Sequence, residues 1–114
     1  MLEARLVRLI LWVRDPVALV NWYCETFSWR ESVREVAEGW IEIDANGFIL
    51  ALHGGTDLKP RRWPKIQVAV DDVAQFRAQL MQRGVKMSVI YEWKHLQWSE
   101  CGDPEGNTVQ ICNR

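Results

Sequence analysis

Apolar and polar positions along this chain follow one arrangement, used twice. Residues 9–27 (LILWVRDPVALVNWYCETF) run from an apolar, partly β-branched stretch through an aspartate into an amphipathic stretch. Residues 66–85 (IQVAVDDVAQFRAQLMQRGV) repeat that plan. Each copy continues through short strand-like runs to a closing hairpin, NGFILALH in the first and PEGNTVQIC in the second. A repeat of about 57 residues in so short a chain means two copies of one supersecondary unit, not two domains.

In the first copy, Leu6 to Val13 predicts a strand from its run length and side-chain types. Asp15 is placed to cap a helix whose first residue is Pro16, where a missing N–H costs nothing. The helix is expected to turn Val17, Val20, Cys24 and Phe27 to the core. Val33 to Ala37 and Trp40 to Asp44 read as strands, and Asn46-Gly47 as the turn into a strand over Phe48 to His53. In the second copy, Ile66 to Val70 is the strand and Asp71 or Asp72 the cap. Val73, Phe76 and Leu80 form the apolar stripe, and Gly84 ends the helix. Val85 to Ile90, Leu96 to Cys101 and Thr108 to Cys112 read as the closing strands. Each half is thus β-α-β-β-β, in modules of about 4–54 and 64–113 within one domain spanning 1–114. Gly54 to Pro64, with two glycines, two prolines and four charges, reads as the linker.

The pleat sorts these side chains by face. Leu9, Leu11, Val13, Ile66, Val68 and Val70 belong to the helix-covered side, as do Ile41, Ile43, Leu50, Leu52, Val109 and Ile111. The opposite side receives Arg8, Ile10, Trp12, Trp40, Glu42, Ala51 and His53 from the first copy. From the second it receives Lys65, Gln67, Ala69, Thr108, Gln110 and Cys112. A mixed polar and aromatic face of this kind suits a ligand-lined concavity.

Composition narrows the classes. The 114 residues are 48% hydrophobic and 25% charged, ordinary for a soluble globular chain and long enough to bury one core. A formal net charge of -1 leaves no electrostatic footprint for nucleic acid. Glu3, Arg5 and Arg8 interrupt the apolar N-terminal run, which is therefore neither a secretory segment nor a membrane span. Three cysteines without zinc-type spacing fit a reducing compartment, so a cytoplasmic location is expected. Seven tryptophans are several times the usual share, suiting cores, subunit interfaces and aromatic ligand pockets alike.

On these segments, and above all on DPEGNTVQ, the chain resembles the vicinal oxygen chelate superfamily. That group includes glyoxalase I, bleomycin-resistance proteins, fosfomycin-resistance proteins and extradiol dioxygenases. WIEIDANGFILALHGG is similar to the end of the first module in the bleomycin-resistance-like branch. The resemblance implies an α+β fold of two βαβββ modules in an incomplete, open mixed-sheet barrel with a concave ligand face, in a homodimer. It also implies a divalent metal held by up to four His, Glu or Gln side chains from the first and last strand of each module. Carried over, those positions fall on Arg8, Lys65, Gln110 and, in the first module, Ala51 or His53, with Ala51 the better match.

That ligand set departs from the family pattern. Arginine stays protonated and a lysine ammonium repels a divalent cation. Gln110 with at most His53 is too small a donor set, so no metal cofactor is expected. Arg8 and Lys65 would bind an anionic ligand, or else pair internally with Glu42 or Glu100. Trp12 and Trp40 would stack on a planar ligand or lie in a dimer interface. His53 and Gln110 would supply hydrogen bonds. Cys112 lies on the same face without an activating partner, His95 reads as loop or edge strand, and Trp22 and Trp29 as helix packing. The expected ligand-binding set is Arg8, Trp12, Trp40, Glu42, His53, Lys65 and Gln110, with no catalytic residue assigned. The expected function is metal-free binding of an aromatic or amphipathic small molecule, in a homodimer that engages neither nucleic acid nor membrane. Two alternatives stand beside it: a metal-dependent lyase, isomerase or transferase using His53, Gln110 and Glu42, and an assembly domain with a vestigial cavity.

Overall fold

The computed structural model describes residues 8–55 and 65–113. The chain divides into two compact units between Lys59 and Pro60, inside the segment expected to link the copies. That linker from residue 56 to 64, and the strand start at Leu6 and Val7, lie outside the described residues.

The first unit begins with strand β1 (Arg8–Val13) and helix α1 (Pro16–Phe27). Strands β2 (Arg30–Glu35), β3 (Trp40–Asp44) and β4 (Ile49–Gly54) follow, with a single 3-10 turn at Val36–Glu38. The four strands form an open sheet in the order β1-β4-β3-β2. β1 runs parallel to β4, and the other neighbours are antiparallel. The parallel pair requires a crossover between its members, which α1 begins. Asp15 caps α1 through a side-chain bond from the Ala18 N–H, with Pro16 in its first turn as expected.

The second unit has the same plan: β5 (Ile66–Ala69), α2 (Val73–Gln82), β6 (Tyr91–Trp93), β7 (Leu96–Gly102) and β8 (Thr108–Cys112). Its open sheet runs β5-β8-β7-β6, with β5 parallel to β8. Asp72, not Asp71, caps α2 by accepting from the Gln75 N–H. At the other end Gly84 adopts φ +89, Val85 N–H bonds Leu80 C=O at 3.0 Å, and Gly84 N–H bonds Met81 C=O at 3.0 Å. That crossed pair satisfies two terminal carbonyls, and it needs a left-handed residue where the glycine stands. The α+β class and both βαβββ modules are thus as expected.

Alternation assigned the faces correctly. Leu11, Val13, Ile41, Ile43, Leu50 and Leu52 are buried in the first unit, and Ile66, Val109 and Ile111 in the second. α1 packs on β3 and β4, and α2 on β7 and β8.

Three local expectations change. α1 buries Leu19, Val20, Tyr23, Thr26 and Phe27, whereas Val17 is exposed and Cys24 only half-buried. The stripe is rotated because Tyr23 stacks parallel to Trp29 and meets Trp22 edge to face, so the largest side chains decide which face turns inward. β2 lies earlier than the expected Val33 to Ala37, with a register shift between Glu31 and Val33.

Val85 to Ile90 makes no strand. Ser88 explains why. Its Oγ accepts the Glu100 N–H at 2.9 Å, while its carbonyl accepts from Ser99 Oγ at 2.8 Å and Arg77 Nε at 2.7 Å. Side chains thus take the Ser88 carbonyl and the Glu100 N–H, leaving the Ser88 N–H a single ladder-type bond to the Glu100 carbonyl at 2.8 Å, so apolar run length misleads here. The second strand of this module is instead the short β6, which begins directly after Ile90.

Candidate functional site

In the first unit, β1, β3 and β4 bring Arg8, Trp12, Trp40, Glu42 and His53 together on the sheet face turned away from α1. Arg8 Nη1 lies 3.5 Å from Glu42 Oε2. The Trp40 indole N–H donates to that same oxygen at 2.8 Å, and the Arg8 guanidinium sits 5.9 Å from the Trp40 ring centre. The His53 ring lies 4.1 Å from Trp12 and meets Trp40 edge-on at 5.6 Å. His53 Nδ1 is 2.8 Å from the Gly54 carbonyl, which can only accept, so Nδ1 is the donor in that contact. Trp12 keeps 55% of its surface in solvent, a large apolar area to leave uncovered.

The second unit repeats the charge pattern. Lys65 Nζ reaches Glu100 Oε1 at 3.0 Å. Register shows the equivalence: Glu42, Ala51 and Ile10 lie side by side in the first sheet, and Glu100, Gln110 and Gln67 in the second. Arg8 stands two residues before Ile10, as Lys65 stands two before Gln67. Ala51, not His53, therefore occupies the place of Gln110. Trp40 and His53 correspond to Trp98 and Cys112.

A cleft of about 250 Å³ opens on this second face, lined by Gln67, Trp93, Leu96, Gln97, Trp98, Gln110 and Cys112. β6 and β7 raise its aromatic wall, where Trp98 stacks on Tyr91 with ring centres 5.8 Å apart. β5 and β8 supply its polar floor, where Gln67 Nε2 donates to Gln110 Oε1 at 2.7 Å. Gln110 Nε2 in turn faces Glu100 Oε1 at 3.3 Å.

Of the expected ligand-binding residues, five thus cluster in the first unit and two, Lys65 and Gln110, in the second. Both cations have internal carboxylate partners, which was the expected alternative to an anion site. Gln67, Trp93, Leu96, Gln97 and Trp98 were not on the expected list. The pleat had already put Gln67 on this face, and the repeat makes Trp98 the counterpart of Trp40. Leu96 opens the strand expected from that residue and shares its parity with Trp98, whereas Trp93 carried no such signal because β6 lies outside the strands expected there. His95 sits exposed in the turn between β6 and β7, and Trp22 and Trp29 pack with Tyr23 and Phe27 around α1.

The metal positions implied by the resemblance do not fit a divalent cation. They hold a guanidinium, an ammonium, a methyl group and one neutral amide, and both cations already sit against carboxylates. Among the described residues no group of three or more His, Cys, Asp or Glu side chains converges. Cys101 is buried, and burial, followed by the charge of Asp103, pushes its thiol up to about 11. Such a thiol is a poor nucleophile.

Known proteins share this architecture. The model of the Glyoxalase/Bleomycin resistance protein/Dioxygenase superfamily matches residues 5–111, and the chain belongs to that superfamily. A search of curated proteins finds no match. Among solved structures, a Bacillus anthracis protein named for the glyoxalase family superposes with a TM-score of 0.82 at 12% identity, covering 98% of this chain and 97% of its own. Lactoylglutathione lyase from Agrobacterium tumefaciens gives 0.79 at 14% identity, over 96% and 93% of the two chains. A bleomycin resistance determinant encoded on the transposon Tn5 gives 0.78 at 17% identity, over 97% and 98%. At these identities the likeness is one of fold, and these neighbours include both an enzyme and a resistance protein. Among the described residues no helix is long and apolar enough to cross a membrane.

Proposed function

We propose that this protein is a small-molecule binding member of its superfamily, working without the family metal and holding a flat aromatic or amphipathic ligand. The cleft between the Trp93–Trp98 wall and the Gln67–Gln110 floor carries this reading, since it joins apolar area to a few convergent polar groups. In the first unit the Trp12–His53 pair, with Trp40 beside it, offers a second aromatic surface. Compensation of Arg8 by Glu42 and of Lys65 by Glu100 favours an uncharged ligand over an anion. The Tn5-encoded neighbour is a bleomycin resistance determinant, and capture of a planar compound would be work of the same kind.

The proposal places the protein in the cytoplasm as a homodimer. Free Cys24, Cys101 and Cys112 support a reducing compartment. Ile10 and Tyr91 leave apolar area exposed that a second copy would cover.

Elemental analysis of untagged protein purified without chelator tests the metal-free reading, and thermal unfolding with aromatic compounds tests binding. The expected result is far less than one metal per chain and a ligand-dependent rise in Tm. A ligand at 100 times its Kd adds about 2.7 kcal/mol to the folded state. Near-stoichiometric metal, with a Tm that falls on chelation, would overturn the metal-free reading and restore glyoxalase-type chemistry.

A further inference from the structure

The cleft of the second unit has a polarity that its first-unit counterpart lacks. An ionised carboxylate only accepts hydrogen bonds. Glu100 Oε1 takes one from Lys65 Nζ at 3.0 Å, and the amide group that Gln110 turns toward it must therefore be the NH₂. With its nitrogen so committed, Gln110 presents its carbonyl oxygen to Gln67, and Gln67 must answer with its own NH₂, at 2.7 Å. The Gln67 carbonyl oxygen is the end of that series. Neither glutamine is free to turn over, because a reversed Gln110 would set its oxygen against the Glu100 carboxylate. In the first unit the matching positions are Ile10, Ala51 and Glu42, so no such relay exists there. Glu42 takes the Trp40 N–H instead.

Gln110 is 7% exposed, whereas Gln67, on the edge strand β5, is exposed and lines the same cleft as Trp93 and Trp98. A partly exposed charge pair, Lys65 with the half-buried Glu100, thus sets the orientation of a solvent-facing amide through the buried Gln110. We propose that this relay makes the cleft selective for planar ligands bearing a hydrogen-bond donor, an aromatic N–H or O–H, which Gln67 Oε1 accepts while the ring lies against Trp93 and Trp98. This rests on the ligand-binding reading of the cleft and adds the class of ligand. Gln67 makes the contact, and Gln110 and Glu100 are positioning residues. An aromatic ring that offers only acceptors gains nothing from Gln67 and loses the water that had bonded it.

The test is an NMR titration of the ¹⁵N-labelled full chain with indole and with benzothiophene, bicyclic rings of like shape of which only indole has an N–H. Signals of the Gln67 side-chain amide and of the Trp93 and Trp98 indoles report the site. The expected result is that both probes shift the tryptophan signals and that indole binds at least about threefold more tightly. Gln67→Leu should abolish that preference, with both probes still shifting the Trp93 and Trp98 signals. Gln110→Met, which leaves Gln67 in place but unties it from Glu100, should reduce the preference. Equal binding of the two probes to the unaltered protein, or a preference that survives in Gln67→Leu, would overturn donor selection and leave the cleft a ligand site. No shift of the cleft signals with either probe would overturn the binding reading itself.

Discussion

The Arg8 guanidinium stands 3.5 Å from the Glu42 carboxylate, reaching from β1 to β3 across β4. Lys65 and Glu100 repeat the relationship in the second unit at 3.0 Å. Each module thus has a cation at the first-strand position to which the resemblance assigns a metal ligand, and a carboxylate two strands away closes on it. The face that results is electrically closed and aromatic.

The Arg8 pair should matter little to stability. Arg8 is 41% exposed, and screening by water limits such a pair to about 0–1 kcal/mol. Arg8→Met is therefore expected to lower the urea-unfolding free energy by no more than about 1 kcal/mol. Glu42→Ala should cost more, on the order of 1–2 kcal/mol, because the half-buried Trp40 N–H loses its acceptor as well. Equal losses for the two variants would show that the indole bond contributes nothing.

Asp103 should be far more sensitive. It is 6% exposed, and its Oδ1 accepts the Glu105 and Asn107 backbone N–H groups, each at 2.9 Å. Its Oδ2 accepts the Asn107 side-chain amide at 2.8 Å. One carboxylate therefore holds the turn into β8. Asp103→Ala strands three donors and is expected to cost about 2–4 kcal/mol in chemical denaturation. A loss below about 1 kcal/mol would mean that water replaces the carboxylate without penalty.

Cys101 should make stability depend on alkaline pH. Its folded-state thiol is raised from 9.0 to about 11, first by burial and then by the Asp103 charge. Below the unfolded value both states keep the proton, and the contribution is complete. Between about pH 9 and about pH 11 the unfolded chain ionises first, so folding stability falls as pH rises. The loss is on the order of 2 kcal/mol. Cys101→Ala should flatten that decline relative to the unaltered protein, and parallel pH profiles would refute the assignment. In the native state at pH 8, Cys101 should also react far more slowly with a thiol reagent than it does in urea.

The rotated stripe of α1 predicts a contrast between neighbours. Tyr23 is fully buried against Trp22, Phe27 and Trp29. Tyr23→Ala should cost about 3–5 kcal/mol, as removal of a buried aromatic ring usually does. Cys24→Ala, at a half-buried position, should cost less than about 1 kcal/mol. Comparable losses at the two positions would contradict the helix orientation.

Much of the site was legible because strand periodicity is strict. A period of two put Trp12, Trp40, Glu42, His53 and Gln110 on the face opposite the helices, and a one-residue error would have inverted them all. Of Ala51 and His53, the resemblance favoured Ala51 as the counterpart of Gln110, and the strand register agrees. Helix phase was less legible. A 12-residue helix with apolar or aromatic groups at Val17, Leu19, Val20, Trp22, Tyr23, Cys24 and Phe27 offers several plausible stripes. Only the bulk of Tyr23 and its aromatic neighbours selects one.

Local chemistry in the sequence determined the duplicated βαβββ order, the Asp15 cap, the Asp71-Asp72 pair as the site of the second cap, the Gly84 stop and the sidedness of every central strand. Each depends on neighbours a few residues away, within reach of one turn or one pleat. Tertiary structure alone decided that Arg8 closes on Glu42 rather than on a ligand. It also decided that Ser88 dissolves an expected strand and that Gln67 takes its direction from Glu100 through Gln110. Those outcomes depend on side chains 34, 12 and 43 residues apart meeting at hydrogen-bonding distance, set by sheet register and by competition among polar partners. No local pattern encodes the winner of that competition.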